Sequence, residues 1–560
     1  MKLKKTVLLS ICLSFLFTNY SQQILKENIS TIEKTYWDFK KTKIQSEGAY
    51  YKDKKGASQD KHGTWKYYNE DGVLIETSSY FKNVIHGKVM MAYQNGKIKQ
   101  EGFFKLGIQD SSYKEWFENG MPALEGFYKN NKKVNVWNRY YYNGKLESVE
   151  QYLDTISYLL SYYSNDSIHT QQIKDGSGNQ ISYFPTNLIH ESYTYKEGLR
   201  NGDFYVTNIN GKTGSTGSYR NGFRHGIWNY FYFNGDKEKT CCYQNGLLDG
   251  SYATYYDTKQ LKVIGEYRKG MKNGKWIWYT NTGVKDMEGY FLNDKQDGDW
   301  VYYFPTGDIS YTAHFKEDKK EGKWIYFYKT KEKFKECTYL NDQKSGIWQT
   351  WYENGTLLMT GNYTAGLEEG KWENYWENGK LKNVTSYQKG LLHGNWKSFS
   401  PTGNLLLDGQ YKTGYKNGKW LKYFVKNSKL EEINTYKIIV KKDALNYGFW
   451  AGRKIKESVR NGLHVSYSSK DDSKMEEGNY KNDEKHGEWK AFFEGGESPA
   501  VISNYKKGEL HGLMTEYGRK REKISETHYK LGVKHGSMKL YDKQGKIKLE
   551  KEFQNGQQVK

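Results

Sequence analysis

Tyr219-Arg-Asn-Gly222-Phe-Arg-His-Gly226-Ile-Trp228-Asn-Tyr230-Phe231-Tyr232-Phe-Asn234-Gly235 is one copy of a unit that fills almost the whole chain. The unit is easiest to follow at its indole. Trp276, Trp300, Trp324, Trp348, Trp372, Trp396 and Trp420 stand 24 residues apart, each two places after a glycine. A fixed period in this range means stacked structural units. A Tyr or Phe opens each unit, as at 80, 104, 128, 152, 195, 219, 243, 267, 290, 315, 339, 363, 387, 411, 436, 480, 505, 529 and 553. The spacing predicts about twenty units in one continuous body. It divides the chain into residues 1–21, 22–45 and a 46–560 array, with divergent copies near 153–194 and 437–479.

Each unit reads as two short strands. The residues between turns are aromatic or β-branched, as strands prefer, and only 5 prolines interrupt the chain. Asn95-Gly96, Asn119-Gly120, Asn143-Gly144, Asn234-Gly235, Asn354-Gly355 and Asn378-Gly379 are expected to supply two positive-φ residues to a tight hairpin turn. The stretch Tyr411-Lys-Thr-Gly414-Tyr-Lys-Asn-Gly418 makes the other return. The predicted fold is all-β, an elongated array of antiparallel hairpins forming a long twisted sheet or solenoid. Strand alternation places Trp324, Tyr326 and Tyr328 on one face and Phe327 on the other. Like rings are expected to stack on like rings from unit to unit, each pair adding ~0.5–1.5 kcal/mol beyond its buried area. This reconciles a mean hydropathy of −0.94 with 17% aromatic content. Open sheets rarely exceed ~10 strands, so such an array must flatten, coil or break at the divergent copies.

The pattern Gly-x-Tyr-x-x-Gly-x-x-x-Gly-x-Trp-x-x-Tyr-Tyr-x-Asn-Gly-x-Leu, nearly complete from Gly361-Asn-Tyr363 to Gly379-Lys-Leu381, resembles the MORN repeat in its bacterial variant form. The resemblance covers roughly residues 46–560. It departs from the eukaryotic form, which favours glycine where this chain has Trp. The resemblance implies a hairpin array used for scaffolding and binding, linked to phospholipid contact and protein assembly. Bacterial relatives often carry the label of a toxin–antitoxin antitoxin. Choline- and glucan-binding repeats also use Gly, Trp and Tyr-Tyr, at a shorter period, and would bind ligands on open aromatic platforms.

Lys2, Lys4 and Lys5 before the apolar run Val7–Phe17 read as a secretory signal peptide, too short for a stable membrane span. Cys12 lacks the small residue before it that lipid attachment favours. The product is expected to be exported, in the periplasm, at the cell surface or outside. Ile24, Leu25, Ile29, Ile32, Tyr36 and Phe39 fall near helical spacing and read as a cap over the first sheet edge. Lys546, Lys548 and Lys551 guard the last.

No residues point to catalysis. Cys241 and Cys337 occupy a slot that elsewhere holds Gly126, Gly217, Gly265, Ala313, Gly361 or Gly409, and lie four units apart, too far to pair. Seven of the 12 histidines, His62, His86, His225, His393, His486, His511 and His535, precede a loop glycine. Equivalent positions in neighbouring units lie ~10 Å apart, too far to share a metal. The loop Asn293–Asp299 partly resembles a calcium loop but lacks its downstream Glu. No catalytic motif and no cofactor-binding motif is present.

Charge remains. The chain is +21, and much of it lies in the glycine loops at Arg220, Arg224, Arg268, Lys269, Lys272, Lys412 and Lys416. These loops share one long side of the sheet, so their charge adds as a stripe. The stripe either keeps the sheet soluble or attracts an anionic surface, phospholipid or acidic glycan. Export makes nucleic acid the poorer partner. The reading is a noncatalytic exported scaffold binding a protein or envelope surface. The alternatives are a carbohydrate-binding module on aromatic platforms and, third, an antitoxin-like protein. They differ first in whether the Trp rings are enclosed or open to solvent.

Overall fold

The computed structural model describes residues 28–442 and 454–559. The described chain is all-β, with 47 strands and no α-helix among the described residues. It forms two compact units that meet in sequence between Met271 and Lys272. Residues 1–21, read as a signal peptide, lie outside the described residues.

The repeat shows its construction at Leu357–Tyr375. The strand Leu357–Thr364 pairs antiparallel with Leu367–Tyr375 through the two-residue turn Ala365-Gly366. Both turn residues are left-handed, with φ of 49° and 81°. This is the primed turn whose twist suits a hairpin. The following connection is different. Gly379 N–H donates to the Trp376 carbonyl and Trp376 N–H to the Lys380 carbonyl, both at 2.8 Å. Only the glycine of Asn378-Gly379 is left-handed, at 80°. Asn378 instead accepts the Lys380 N–H on its side-chain oxygen at 3.1 Å. The expectation that Asn-Gly supplies two positive-φ residues is therefore corrected. A longer loop of five residues, Trp376 to Lys380, needs one left-handed position, and Asn fixes it by bonding its own backbone two residues on.

Both rows of turns are laced to their neighbours. Gly366 N–H reaches the Lys344 carbonyl (2.9 Å), and Gly390 N–H reaches that of Glu368 (2.9 Å). On the other row the Tyr352 hydroxyl donates to the Tyr375 carbonyl at 3.0 Å, and the Trp376 indole to that of Phe399 at 3.1 Å.

In the first unit the strand Glu33–Tyr36 pairs with Ile44–Asp53. The described part of the 22–45 segment is thus strand and turn, not helix. Its apolar residues at helical spacing find no surface to bury against, as Ile32 (67% exposed) and Phe39 show. Asp38 closes the return by accepting the Thr42 and Lys43 N–H groups. In the second unit the opening ring is Phe291, not Tyr290. Phe291 lies opposite Gly274, as Phe315 lies opposite Gly298. Phe291 touches Trp276 and Trp300, while Tyr290 is exposed.

Candidate functional site

The aromatic face is built around a paired slot. Two places before most opening rings stands a small residue, and in the regular units the indole of the next strand lies over it. A Cβ added to Gly361 would fall 2.0 Å from Trp372, and one on Gly409 2.3 Å from Trp420. Glycine inside a strand marks this kind of close approach. Two indole N–H groups are satisfied nearby, from Trp228 to the Ser218 carbonyl (3.1 Å) and from Trp420 to that of Gln410 (3.2 Å), whereas the buried Nε1 of Trp300 and of Trp372 has no partner. Where the slot holds Thr385 the ring above it, Trp396, is only half-buried. Trp276, Trp300, Trp324, Trp348, Trp372 and Trp420 are 1–8% exposed.

The rings do not meet like on like. Trp300, Phe315, Trp324, Tyr339, Trp348, Tyr363 and Trp372 follow one another edge to face, with centroids 5.1–6.1 Å apart. Equivalent indoles are two strands apart, and the opening ring of the next unit fills the space between them. Edge-to-face contact also matches positive ring edges to negative faces. Trp396 and Trp420, at 5.6 Å, do touch directly. Tyr326 packs beside Trp324 as its alternation requires. Tyr328 lies beyond the strand, in the loop, against Phe334. Burial pushes the Tyr363 hydroxyl up to about 12.

In several units a cation four places before the indole completes the face. Lys272 lies 5.0 Å from the Trp276 ring centroid, Lys344 4.8 Å from Trp348 and Lys416 4.3 Å from Trp420. The Arg224 guanidinium lies 4.6 Å from Trp228 and donates to the Tyr230 hydroxyl at 3.2 Å. The seven residues of the basic stripe therefore separate into two groups. Arg224, Lys272 and Lys416 rest on rings. Arg220, Arg268, Lys269 and Lys412 stand exposed at the primed turns. The second group shares its edge with apolar side chains that follow the turn glycines, among them Phe223 (57% exposed) and Leu247 (54%).

The opposite face is ionic. Glu288 joins Lys275 (3.2 Å) and Lys285 (2.9 Å) and accepts the Tyr303 hydroxyl at 2.9 Å. Glu336 joins Lys323 and Lys333 in the same way. At Glu526, the Lys523 ammonium and then the Tyr541 hydroxyl hold the carboxyl below the usual range.

The residue before the loop glycine braces the next turn. His86 accepts the Leu106 N–H at 3.2 Å and His535 that of Asn555 at 3.3 Å. Glu321 and Glu369 do this with carboxylates. His62 also takes the acceptor role, while the buried Nδ1 atoms of His225, His393 and His511 have no partner, so bracing accounts for only part of the histidine preference. In the calcium-like loop the carboxylates diverge: Asp294 takes the Lys272 N–H, Asp297 the Glu317 N–H, and Asp299 pairs with His314. Among the described residues no three His, Cys, Asp or Glu side chains converge on a metal position. Cys241 and Cys337 are buried thiols, pushed up by desolvation.

Nine stretches match the MORN repeat variant, at residues 61–83, 85–106, 109–130, 224–245, 296–317, 344–365, 368–389, 392–413 and 534–555. Eight of the nine begin just after one primed turn and end in the next, and the first begins inside the strand Gly56–Tyr68. No curated protein matches the chain. Solved structures that match include crystal structures of TcdB2-TccC3-Cdc42 and TcdB2-TccC3, at 10% and 12% identity with TM-scores of 0.12 and 0.13. The Photorhabdus luminescens Tc holotoxin pore matches at 11% with a TM-score of 0.12. These cover 89–90% of this chain, which spans only 28–29% of theirs. Similarity of that degree carries no functional weight. No helix among the described residues is long and apolar enough to cross a membrane.

Proposed function

We propose that the chain is a noncatalytic, exported repeat scaffold of the bacterial MORN variant type, whose primed-turn edge binds an anionic envelope surface such as phospholipid or acidic glycan. The observation that carries this reading is the exposed edge itself. Arg220, Arg268 and Lys269 stand free of the rings, beside exposed Phe223 and Leu247. Cations near an anionic membrane contribute ~1 kcal/mol each, so a row of weak contacts sums along an edge. The leader-like residues Lys2–Phe17 support export, which ranks an antitoxin role lower. Enclosed indoles disfavour a glycan module built on open Trp platforms.

The test is co-sedimentation with anionic and neutral vesicles. Replacing Arg220, Arg268, Lys269 and Lys412 by Gln should abolish binding to anionic vesicles and leave the melting temperature unchanged. Replacing Arg224, Lys272 and Lys416 should lower the melting temperature and keep most of the binding. Salt should weaken the wild type, because exposed charges are screened within ~10 Å at 0.1 M. Equal binding to both vesicle types, or none to either, would leave the charge as a solubility device.

A further inference from the structure

The repeat loses its indole for its longest stretch in the first unit. Between Trp137 and Trp228 there is no tryptophan. In the same stretch the strands shorten, since Gln171–Lys174 has 4 residues where the repeat has eight or nine. The backbone stays tied across the gap. Leu159 N–H donates to the Gly198 carbonyl (2.8 Å), Gly198 N–H to that of Gly176 (2.9 Å), and Gly176 N–H to that of Leu160 (2.9 Å). This knot is close-packed. A Cβ on Gly176 would fall 2.4 Å from the Gly198 nitrogen, and one on Gly198 2.7 Å from the Tyr158 Cβ.

A rigid floor with its large ring missing leaves a cleft of about 610 Å³ within the first unit. Its size is that of a small-ligand site, roughly 300–1,000 Å³. The lining includes Arg139, Arg200, Glu147 and Glu150, two cations against two carboxylates. Gln180, Tyr162 and Tyr195 also face it. Several of these groups are already fixed. Arg200 lies 3.9 Å from the Tyr193 ring centroid and donates to the Tyr195 hydroxyl at 3.3 Å. Glu150 accepts the Tyr152 hydroxyl at 2.7 Å.

The chemistry selects a ligand class. An anion entering the cleft meets Glu147 and Glu150, and a cation meets Arg139 and Arg200. A neutral ligand rich in hydroxyls suits both, because each hydroxyl donates once and accepts twice. Planar guanidinium, carboxylate and amide groups are the complementary partners, each able to bond two neighbouring hydroxyls. The Tyr faces suit the apolar C–H side of a sugar ring. We infer that the cleft around Arg139, Glu147, Gln180 and Arg200 binds a neutral oligosaccharide. The cleft borders the basic edge at Asn221, Gly222 and Phe223, but its ligand carries no charge and does not depend on the edge's cations.

The test titrates the full chain with chitohexaose, cellohexaose and maltohexaose by calorimetry, alongside polygalacturonate and hexalysine as charged probes. Saturable one-to-one binding of a neutral hexaose is expected. Gln180→Ala and Tyr162→Ala should each weaken it about tenfold or more, a loss of ~1.4 kcal/mol. Ser157→Trp, which fills the mouth from an exposed position, should abolish it with an unchanged melting temperature. Binding of only the charged probes, binding of none of the five, or full affinity in the Ser157→Trp protein would overturn the inference. Because the hexaoses carry no charge, loss of vesicle binding in the edge variants leaves this result untouched.

Discussion

Two stretches, one in each compact unit, use opposite solutions to one problem, how a single layer of strands holds its shape. From Trp300 to Trp372 every small slot carries a ring, and the rings close edge to face along the whole run. From residue 153 to 198 the glycine slots and their indoles are gone, and backbone hydrogen bonds through Gly176 and Gly198 hold the strands together. Ile173, fully enclosed, is the main apolar plug there. A regular unit fills its own face with rings. A shortened unit keeps the strand pairing but not the filling, and the empty space can become a site.

The strongest test of that contrast is Gly361→Val. The added side chain must displace the Trp372 indole, so the cost should match or exceed the ~3–5 kcal/mol of Trp372→Ala. The two changes should be far from additive, because both remove one contact. Urea unfolding of the single and double variants measures this, and hydrogen exchange should rise in adjoining units and stay flat far away. Additive costs would mean that ring and slot are independent. In the irregular stretch the largest expected loss is smaller. Ile173→Ala should cost ~2–3 kcal/mol, with exchange rising only near residues 156–198. A loss as large as that of Gly361→Val would erase the distinction between the two stretches.

The smallest effect belongs to the ionic face. Glu526 is held below its ordinary value, so its contribution is present at neutral pH and is lost as the pH falls below about 4.3. Glu526→Gln should cost ~0.2–1 kcal/mol at pH 7 and flatten the fall in the urea midpoint toward pH 4. An unchanged pH slope would show that the face is solvated charge without stabilising pairs.

The period, the two strands per unit and the small slot were all legible in the sequence, because each recurs often enough to separate rule from noise. The turn types were not. Asn378-Gly379 and Ala365-Gly366 both end in a left-handed glycine, and the residue before it decides the class only through the length of the loop. Tyr290 and Phe291 are neighbouring rings, so only counting the pleat from Gly274 shows which one faces the indoles. Lys272 and Lys416 read as loop charge because they follow a turn glycine by two places. The strand has already begun there, so they lie on the indole face. The cleft is a missing ring, and a missing ring leaves no motif.

The lacing of each turn to the one before it also bears on how the chain reaches its folded state. Gly366 bonds to Lys344 and Gly390 to Glu368, so in the regular run the ties that hold a unit span slightly less than one period in a chain of 560 residues. Relative contact order is then very low for an all-β protein, and loop closure costs little at each step. Each hairpin has a finished edge to grow from as soon as it is made. The chain can fold vectorially, one hairpin at a time, as it leaves a ribosome or a translocation pore, without waiting for its far end.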